Sequence, residues 1–485
     1  MRLEVWLNEA LVGWLTHDGD ANRFAFTYAP QWLAQETRFG LSPSLRLPDQ
    51  MARAIGGAMI GPGTIGGDGN SLTPEAHSAI VRAFFENLLP EGQALDDVAA
   101  VAKTSRSNLV GLLIAVGRES AGAFRIRPED VAVTCPNTLR HLPRQELSQR
   151  IRVRGELPFS VWDRKVRLSI AGFQDKIGAF RYGDEWYLAD GDLLASTHIL
   201  KPEPRDRMLA GLTSNEFFCM RLAAAVRVPS AKVELHHVPE PVLSIERFDR
   251  RVIGGPPIWS ERDAPELSPT AELRVGRIHV IDGCQALGVS ALYKYERPYG
   301  QSRDVADLRT GASYPRLFNL LSLSPTPTRD RLNLLRWSLF QVLIGNTDAH
   351  AKNLSFYFGP QGLVLAPAYD LVSGASLPSE QVDKTFAMAI GDAFESNDLN
   401  ADEWVDFTAR CGLNYRQVAS EMTDMINATV HALPQVKEEA SRAGADMTVV
   451  QRVVDFVRAE CDRQRAVLPG IVRPDRMTPP PANSR

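Results

Sequence analysis

The fold is decided by Gly345-Asn346-Thr347-Asp348-Ala349-His350-Ala351-Lys352-Asn353, a polar stretch that follows an apolar helical pattern and precedes a hairpin pattern. Four residues separate Asp348 from Asn353, which is the spacing of a phosphotransferase catalytic loop. In such a loop the Asp accepts the proton of the attacking hydroxyl, and the Asn amide oxygen holds a magnesium ion. A second acid, Asp370, follows the hairpin pattern, where the other metal ligand would lie. The stretch therefore predicts a site for phosphoryl transfer.

The patterns on both sides of this loop support a kinase-like order of elements. Residues 331–344 are apolar on most helical faces, which predicts a buried helix. Residues 354–365 form two short strand patterns around a turn of Gly and Pro, which predicts a hairpin. Asp and Asn also cap ordinary turns, but His350 and the acid after the hairpin favour catalysis. His350 lies where many kinases have a lysine and phosphoinositide-type kinases have a histidine.

A lysine for the nucleotide phosphates lies upstream. Lys201 ends the apolar strand pattern of residues 197–200, and a lysine on an inner strand is the second requirement of a kinase site. A solvated lysine at a strand end is the alternative. Glu216 could pair with Lys201 as the helix glutamate of kinases does, but Thr213-Ser214-Asn215-Glu216 also fits the capping-box pattern. Both interpretations of Glu216 stay open.

Two further segments are assigned by position. Ala171-Gly172-Phe173-Gln174-Asp175-Lys176 is a turn between predicted strands, where kinases have a glycine-rich phosphate loop, although it contains one glycine. An ordinary hairpin turn explains it equally well. Glu246-Arg247-Phe248 follows a strand and takes the position of the hinge that binds adenine. Residues 61–66 match GxGxxG, but Pro62 removes an N–H donor and the strand–turn–helix context is missing, so we predict a flexible loop there.

Composition restricts the class of protein. The 485 residues allow two to four domains, and 44% hydrophobic and 23% charged residues are ordinary for a globular chain. The net charge of -4 gives no support to direct nucleic-acid binding. We see no apolar run of about 18 residues that would span a membrane. Five cysteines without CxxC spacing indicate reduced thiols, so a cytoplasmic protein is expected; they are Cys135, Cys219, Cys284, Cys411 and Cys461.

The periodicities predict an α+β chain with a two-lobed protein-kinase-like fold, in which a mixed N-terminal region with β-sheets precedes a mostly helical C-terminal lobe. Residues 1–130 combine strands and helices in one subdomain. Residues 150–250 contain short strands around one helix, as a nucleotide-binding lobe would. Residues 275–468 are mainly helical and contain the catalytic loop. Residues 469–485 have no periodicity, which predicts a disordered tail.

Together these parts resemble the HipA family of bacterial serine/threonine-protein kinases, the toxins of type II toxin–antitoxin modules. The resemblance extends over nearly the whole chain, with mild departures at Phe173 and in the length of residues 253–277. It rests on residues 169–176, 197–202, 246–250, 345–353 and 369–370, and upstream on residues 41–45 (Leu-Ser-Pro-Ser-Leu), 84–90 (Phe-Phe-Glu-Asn-Leu-Leu-Pro) and 117–122.

The resemblance implies a role for each site residue. Asp348 would be the general base, and Asn353 and Asp370 would hold magnesium. Ser169 corresponds to the serine that such kinases autophosphorylate. Lys201 would contact the ATP phosphates, residues 171–176 would cover them, and the hinge would bind adenine. The full set implied for ATP binding is Ala171, Gly172, Phe173, Gln174, Asp175, Lys176, Lys201, Glu246, Arg247, Phe248, His350, Ala351, Lys352, Asn353, Tyr369 and Asp370.

The family also implies cofactors and partners. These are ATP and Mg²⁺, a helix-turn-helix HipB-like antitoxin, operator DNA bound through that partner, and a protein substrate, commonly an aminoacyl-tRNA synthetase. No membrane partner is expected. A small-molecule or lipid kinase is one alternative, weakened by the lack of a basic membrane-facing segment. A nucleotide-binding co-repressor without turnover is another, and the intact set of Asp348, Asn353, Asp370 and Lys201 argues against it.

We predict that phosphorylation of Ser169 inactivates the enzyme. A phosphate adds a charge of about -1.5 to -2 beside the loop that would cover ATP, so it should repel the nucleotide and displace the loop. The measurement is ATP turnover by the protein phosphorylated at Ser169 and by the same protein after dephosphorylation. Full turnover by the phosphorylated form would contradict the prediction.

Overall fold

The computed structural model describes residues 1–48, 73–117, 119–129, 136–163, 165–167, 174–254, 266–267, 272–378 and 383–472. Several features predicted from the sequence lie outside these ranges. They are the GxGxxG segment at 61–66, Cys135, Ser169, Ala171, Gly172, Phe173 and the tail from 473 onward.

Residues 1–129 form an antiparallel sheet backed by helices. The strands are β1 (Arg2–Leu7), β2 (Ala10–Asp18), β3 (Arg23–Tyr28) and β4 (Phe124–Pro128), and the helices are α1 (Pro30–Leu33), α2 (Pro74–Glu86), α3 (Gly92–Val101) and α4 (Leu109–Val116). The strand order is β3-β2-β1-β4. Helix α2 begins where the Thr73 hydroxyl accepts a hydrogen bond from the backbone N–H of Ala76, with Pro74 in the first turn. Its apolar face, which includes Phe84 and Phe85, is buried.

Residues 138–277 contain a seven-stranded sheet. The elements are β5 (Thr138–Leu142), α5 (Arg144–Val153), β6 (Val161–Trp162), β7 (Lys165–Val166), β8 (Ile177–Tyr182), β9 (Glu185–Asp190), β10 (His198–Pro202), α6 (Leu212–Ala225), β11 (Val233–His237), β12 (Pro241–Glu246), β13 (Arg250–Ile253), β14 (Glu266–Leu267) and β15 (Arg274–Arg277). The strand order is β11-β12-β10-β8-β9-β5-β14. Strand β10 lies between β12 and β8, so Lys201 is on an inner strand as predicted. Helix α6 is buried along most of its length and packs beside β11 and β12.

The remaining described residues are mainly helical, with the hairpin β17–β18 set among the helices. Strand β16 adds to this hairpin on the β17 side. The elements are β16 (Val280–Asp282), α7 (Gly283–Leu287), α8 (Tyr314–Leu320), α9 (Pro327–Ile344), β17 (Ser355–Gly359), β18 (Gly362–Leu365), α10 (Ala401–Arg410), α11 (Tyr415–Arg442) and α12 (Met447–Val472).

Helix α9 leads into residues 345–353, the predicted catalytic loop, and is buried against α11 and α12. It ends at Gly345, which has a φ of +62°. A Cβ atom there would lie 2.4 Å from the Phe456 ring, so both the left-handed conformation and the close approach require glycine. The glycine thus fixes the direction in which the loop leaves the helix.

The fold class predicted from the sequence is confirmed, and the predicted helices and strands of the site are present with shifted ends. The helix predicted at 331–344 begins at Pro327. Residues 469–472 belong to α12 and not to a disordered tail, because Ile471 is buried and continues the apolar face of the helix. Among the described residues, no helix is long and apolar enough to cross a membrane.

We predict that Phe340→Ala lowers the free energy of unfolding by about 3–5 kcal/mol. Phe340 is fully buried near the C-terminal end of α9, so its removal leaves a cavity in the core. Urea unfolding followed by circular dichroism is the measurement. The control is Val430→Ala on the exposed side of α11, which should stay within about 0.5 kcal/mol of wild type. Equal losses in the two variants would contradict the assignment of α9 to the core.

Candidate active site

The catalytic loop is held in shape by hydrogen bonds among its own residues. The side chain of Asn346 donates to Gln341 Oε1 at 2.8 Å and accepts from the backbone N–H of Asp348 at 3.0 Å. Asn353 Nδ2 donates to the carbonyl oxygen of Asp348 at 2.8 Å. The backbone N–H of His350 donates to the same carbonyl at 2.8 Å. The loop therefore brings the two ends of its Asp-to-Asn segment together.

The carboxylate of Asp348 faces a cleft, and its side chain is 45% exposed. Tyr295 Oη donates a hydrogen bond to Asp348 Oδ1 at 2.8 Å. Partial desolvation by the cleft walls raises the pKa of Asp348 to about 6, although the Tyr295 hydrogen bond lowers it. A carboxylate with a pKa nearer neutrality is a better proton acceptor than an ordinary Asp. The general-base role predicted for Asp348 is compatible with this position and this pKa.

The imidazole of His350 lies beside this carboxylate, with its Nε2 atom 3.7 Å from Asp348 Oδ1. Burial lowers the pKa of His350 to about 3, and the nearby Lys294 ammonium acts in the same direction. The ring is therefore neutral at physiological pH. It can contribute a hydrogen bond but not the positive charge of the lysine that many kinases have there.

Lys201 joins three elements at the floor of the cleft. Its ammonium donates to Glu216 Oε1 on α6 at 2.8 Å and to Asp370 Oδ1 at 2.5 Å. The side chains of Lys201 and Glu216 are 5% and 0% exposed. Burial raises the pKa of Glu216 more than the lysine lowers it, whereas the two acids hold the pKa of Lys201 above its ordinary value against the effect of burial. Glu216 is thus a partner of Lys201. Helix α6 begins before it, at Leu212, so the capping box is not formed.

The side chain of Asp370 is held in its ionised form, and its backbone has a positive φ angle. Burial would raise the pKa of Asp370, but the ammonium groups of Lys201 and Lys176 together lower it to about 2. Its φ is +57°, a conformation that non-glycine residues adopt mainly as Asp or Asn and often at functional sites. Burial and the Lys201 charge lower the pKa of the buried Lys176 to about 8. The two lysines and this carboxylate form one charged group.

Two cavities meet at this group. One, of about 120 Å³, is lined by the hinge residues 246–248 and by Tyr369. The other, of about 620 Å³, is lined by Asp348 and His350. The side chains common to both are Lys176, Lys201, Asn353 and Asp370. This arrangement suits a nucleotide in the first cavity with its phosphates at the junction and an acceptor group in the second.

The three hinge residues predicted to bind adenine differ in exposure and in their contacts. Glu246 is exposed and pairs with Lys232 at 3.2 Å, while Arg247 is buried against Asp249 at 2.8 Å. The backbone N–H groups of Glu246 and Arg247 donate to the carbonyl oxygens of Lys232 and Thr197, both at 2.9 Å, and the role of this segment as the adenine hinge stays a prediction. Phe248 lies 6.0 Å from the Tyr369 ring.

The phosphate loop is described only from Gln174 onward. Gln174 donates to the carbonyl of Pro202 at 3.3 Å, and Asp175 pairs with Arg154 at 3.5 Å. Ala351 is fully buried. The ammonium of Lys352 donates hydrogen bonds to Asn87 and Asp282. The backbone carbonyl of Lys352 accepts a hydrogen bond from Tyr369.

Four residues of the site were not predicted from the sequence: Tyr295, Lys294, Glu91 and Asn87. Glu91 precedes α3 and pairs with Lys294 at 2.5 Å, and both line the larger cavity. These residues carry no motif that spacing alone would identify, because they reach the catalytic loop from 53 to 265 positions away. The segment 84–90, singled out through the family resemblance, was the available signal for Asn87.

Oxygen donors for a divalent cation are present at the junction. The Nδ2 atom of Asn353 donates a hydrogen bond to the loop backbone at Asp348. The Oδ1 atom is therefore the end of the side chain that could bind a metal. The carboxylate of Asp370 is the second donor. Carboxylate and amide oxygens together with phosphate oxygens suit Mg²⁺. Among the described residues, no cluster of three or more His, Cys, Asp or Glu side chains forms a protein-only metal site, and a kinase does not require one.

Comparisons with known proteins agree over nearly the whole chain. The family model of the HipA N-terminal domain matches residues 3–127, and that of the HipA-like C-terminal domain matches residues 168–433. The serine/threonine-protein kinase toxin HipA of Shewanella oneidensis is 35% identical over 438 residues, which are 90% of this chain and 89% of that protein. The putative kinase Y4mE of Sinorhizobium fredii is 31% identical over 94% of this chain and 96% of that protein.

A solved structure agrees with this similarity. The chain in the complex of Shewanella oneidensis HipA with HipB and operator DNA superimposes with a TM-score of 0.77 at 33% identity. The alignment covers 97% of this chain and 99% of that chain.

We predict that Lys201→Met lowers the free energy of unfolding by about 3–5 kcal/mol, because it leaves the buried Glu216 carboxylate without its cation. The double variant Lys201→Met with Glu216→Gln should recover part of this loss, since it removes the uncompensated charge. Urea unfolding of both variants and of Glu216→Gln alone is the measurement. Additive losses in the double variant would contradict the pairing.

Proposed function

The chain belongs to the HipA family and is a serine/threonine-protein kinase, and we propose that it transfers the γ-phosphoryl group of ATP to a protein hydroxyl with Asp348 as the base. One observation carries this proposal. The Asp348 carboxylate lies in the same cleft as the charged group of Lys201, Lys176 and Asp370. A hydroxyl that entered the larger cavity would thus meet a proton acceptor close to the place that suits the phosphates.

The residues of the cleft support a division of tasks. Lys201, oriented by Glu216, would neutralise the nucleotide phosphates, and Lys176 would assist it. Tyr295 would keep the Asp348 carboxylate directed toward the acceptor. The hinge at residues 246–248 and Tyr369 would enclose the base in the smaller cavity. Such fixed charges stabilise a transferring phosphoryl group without reorganisation during the reaction.

Asn353 and Asp370 would hold Mg²⁺, since both residues carry oxygen donors and line both cavities. When bound, the ion neutralises charge on the phosphate oxygens. The low pKa of Asp370 supports this role, because the carboxylate stays ionised over the whole physiological range.

The proposed partners follow from the relative. The Shewanella complex contains HipA, HipB and operator DNA. We propose that this chain likewise binds a helix-turn-helix HipB-like antitoxin and reaches operator DNA through it, as part of a toxin–antitoxin module. The net charge of -4 favours a partner that supplies the basic DNA-binding surface. The proposed location is the cytoplasm, in keeping with the free thiols of Cys219, Cys284, Cys411 and Cys461.

The acceptor is proposed to be a serine or threonine of a protein, with an aminoacyl-tRNA synthetase as the first candidate, and Ser169 of the chain itself. The larger cavity, of about 620 Å³, has room for an extended segment of a protein substrate as well as for phosphates. Ser169 precedes the segment 171–176 in the sequence, so its phosphorylation would act on the nucleotide side of the cleft.

We predict that Asp348→Ala lowers the rate of phosphoryl transfer by about 10²- to 10⁴-fold while the protein stays folded, because it removes the base without opening the core. The measurement is the incorporation of labelled phosphate from ATP and Mg²⁺, with mass mapping of the modified residue. The control is Asp304→Ala, which removes an exposed acid from a surface loop and should leave the rate unchanged.

Retained transfer in Asp348→Ala would refute its assignment as the base. A wild-type protein that binds ATP tightly and carries a DNA-binding partner, yet incorporates no phosphate, would instead support the nucleotide-binding co-repressor.

A further inference from the structure

The segment Phe84-Phe85-Glu86-Asn87-Leu88-Leu89-Pro90 belongs to the first 129 residues and contacts the catalytic loop through Asn87. Asn87 follows the last turn of α2 and is 2% exposed. Its Nδ2 atom donates to the carbonyl oxygens of Ala83 at 2.8 Å and Val289 at 2.9 Å. Its Oδ1 atom accepts from Lys352 Nζ at 3.0 Å. The whole amide is therefore used, and it links α2 to the loop that contains Asp348.

Lys352 is held from three directions. Its ammonium donates to Asn87 Oδ1 and to the carbonyl oxygen of Asn87, both at 3.0 Å, and to Asp282 Oδ2 at 2.6 Å. An ammonium has three hydrogens, so each one has an acceptor among the described residues. Lys352 thus links two parts of the chain through its hydrogen bonds. A phosphate ligand could bind this ammonium only if one of these hydrogen bonds broke.

Helix α7 completes the junction between the two parts. Asp282 caps this helix by accepting a hydrogen bond from the backbone N–H of Gln285. Gln285 Nε2 donates to the carbonyl oxygen of Phe84 at 3.0 Å. A Cβ atom on Gly283 would lie 2.6 Å from the carbonyl oxygen of Ala351, so α7 packs directly on the loop. The segment 84–90, α7 and the catalytic loop form one hydrogen-bonded unit.

We propose that Asn87 is a positioning residue for the phosphoryl-transfer reaction, acting on the catalytic loop through Lys352. Lys352 adjoins Asn353 and lies four positions after Asp348, so a fixed lysine fixes the segment that contains both. The N-terminal region then forms part of the kinase active site in addition to any role in binding partners. The inference rests on the proposed function only in that this loop is the one that catalyses transfer.

The kinetic test compares Asn87→Ala, Lys352→Met and their double variant. Displacement of the loop acts chiefly on kcat. We expect kcat to fall by about 10-fold in Asn87→Ala and by about 100-fold in Lys352→Met, with a much smaller rise in the KM for ATP in Mg²⁺, because both residues also line the smaller cavity. Because both side chains act through one contact, the double variant should be no slower than Lys352→Met alone. Gln93→Ala is the matched control, since its side-chain amide is exposed in the same region and donates to Asp97 on its own helix.

Two kinetic results would overturn the proposal. In the first, the losses of the single variants multiply in the double variant. In the second, the KM for ATP rises steeply in Lys352→Met while kcat is kept, as expected for a lysine that contacts phosphate.

A second measurement does not depend on catalysis. Hydrogen exchange of the nucleotide-free protein, followed by mass spectrometry, reports how rigid residues 345–354 are. We expect faster exchange of this peptide in Asn87→Ala and Lys352→Met and wild-type exchange in Gln93→Ala. Unchanged exchange in both loop variants would overturn the proposal even if the wild type proved to be a kinase. Faster exchange would support the link between the two regions even if no transfer were detected.

Discussion

The rest of the site depends on one buried ammonium group. Lys201 lies on an inner strand, and its two acidic partners lie 15 and 169 residues later in the chain. A buried charge is expensive unless it is paired, so the sheet, α6 and the residue after the hairpin must come together for any of the three groups to be tolerated. Lys201 and Asp370 also line the larger cavity together with Asp348. The contact that stabilises the fold is therefore also part of the proposed active site.

The titratable groups around this ammonium have pKa values that differ widely from one another. The pKa of Asp370 is held at about 2 by two lysines, whereas that of Asp348 is raised to about 6 by its surroundings. Pairs of carboxylates whose environments push their pKa values apart commonly divide into acid–base and charge-stabilising roles. His350 is kept neutral by burial. The cleft then offers one proton acceptor, one permanent carboxylate and a cationic pair, which is what phosphoryl transfer requires.

Much of the fold around the cleft could be predicted, because the sequence patterns that indicate it lie next to one another in the chain. The loop from Gly345 to Asn353, the apolar helix before it and the hairpin after it are contiguous, and β10 reads as an inner strand from its own residues. The pairing of Glu216 stayed undecided because its local sequence also fits a cap, and the contact with Lys201 and the start of α6 at Leu212 decided it. The link from Asn87 to Lys352 spans 265 positions, and no periodicity encodes such a contact. The tail prediction failed at 469–472 because the packing of Ile471 depends on tertiary contacts.

The most direct test is the structure of the full chain with a non-hydrolysable ATP analogue and Mg²⁺. We expect the adenine against the hinge at residues 246–248, the metal between Asn353 and Asp370, and the γ-phosphate facing Asp348. A nucleotide bound outside the two joined cavities would contradict this expectation, as would a metal held by other residues with Asp348 directed away from the phosphate.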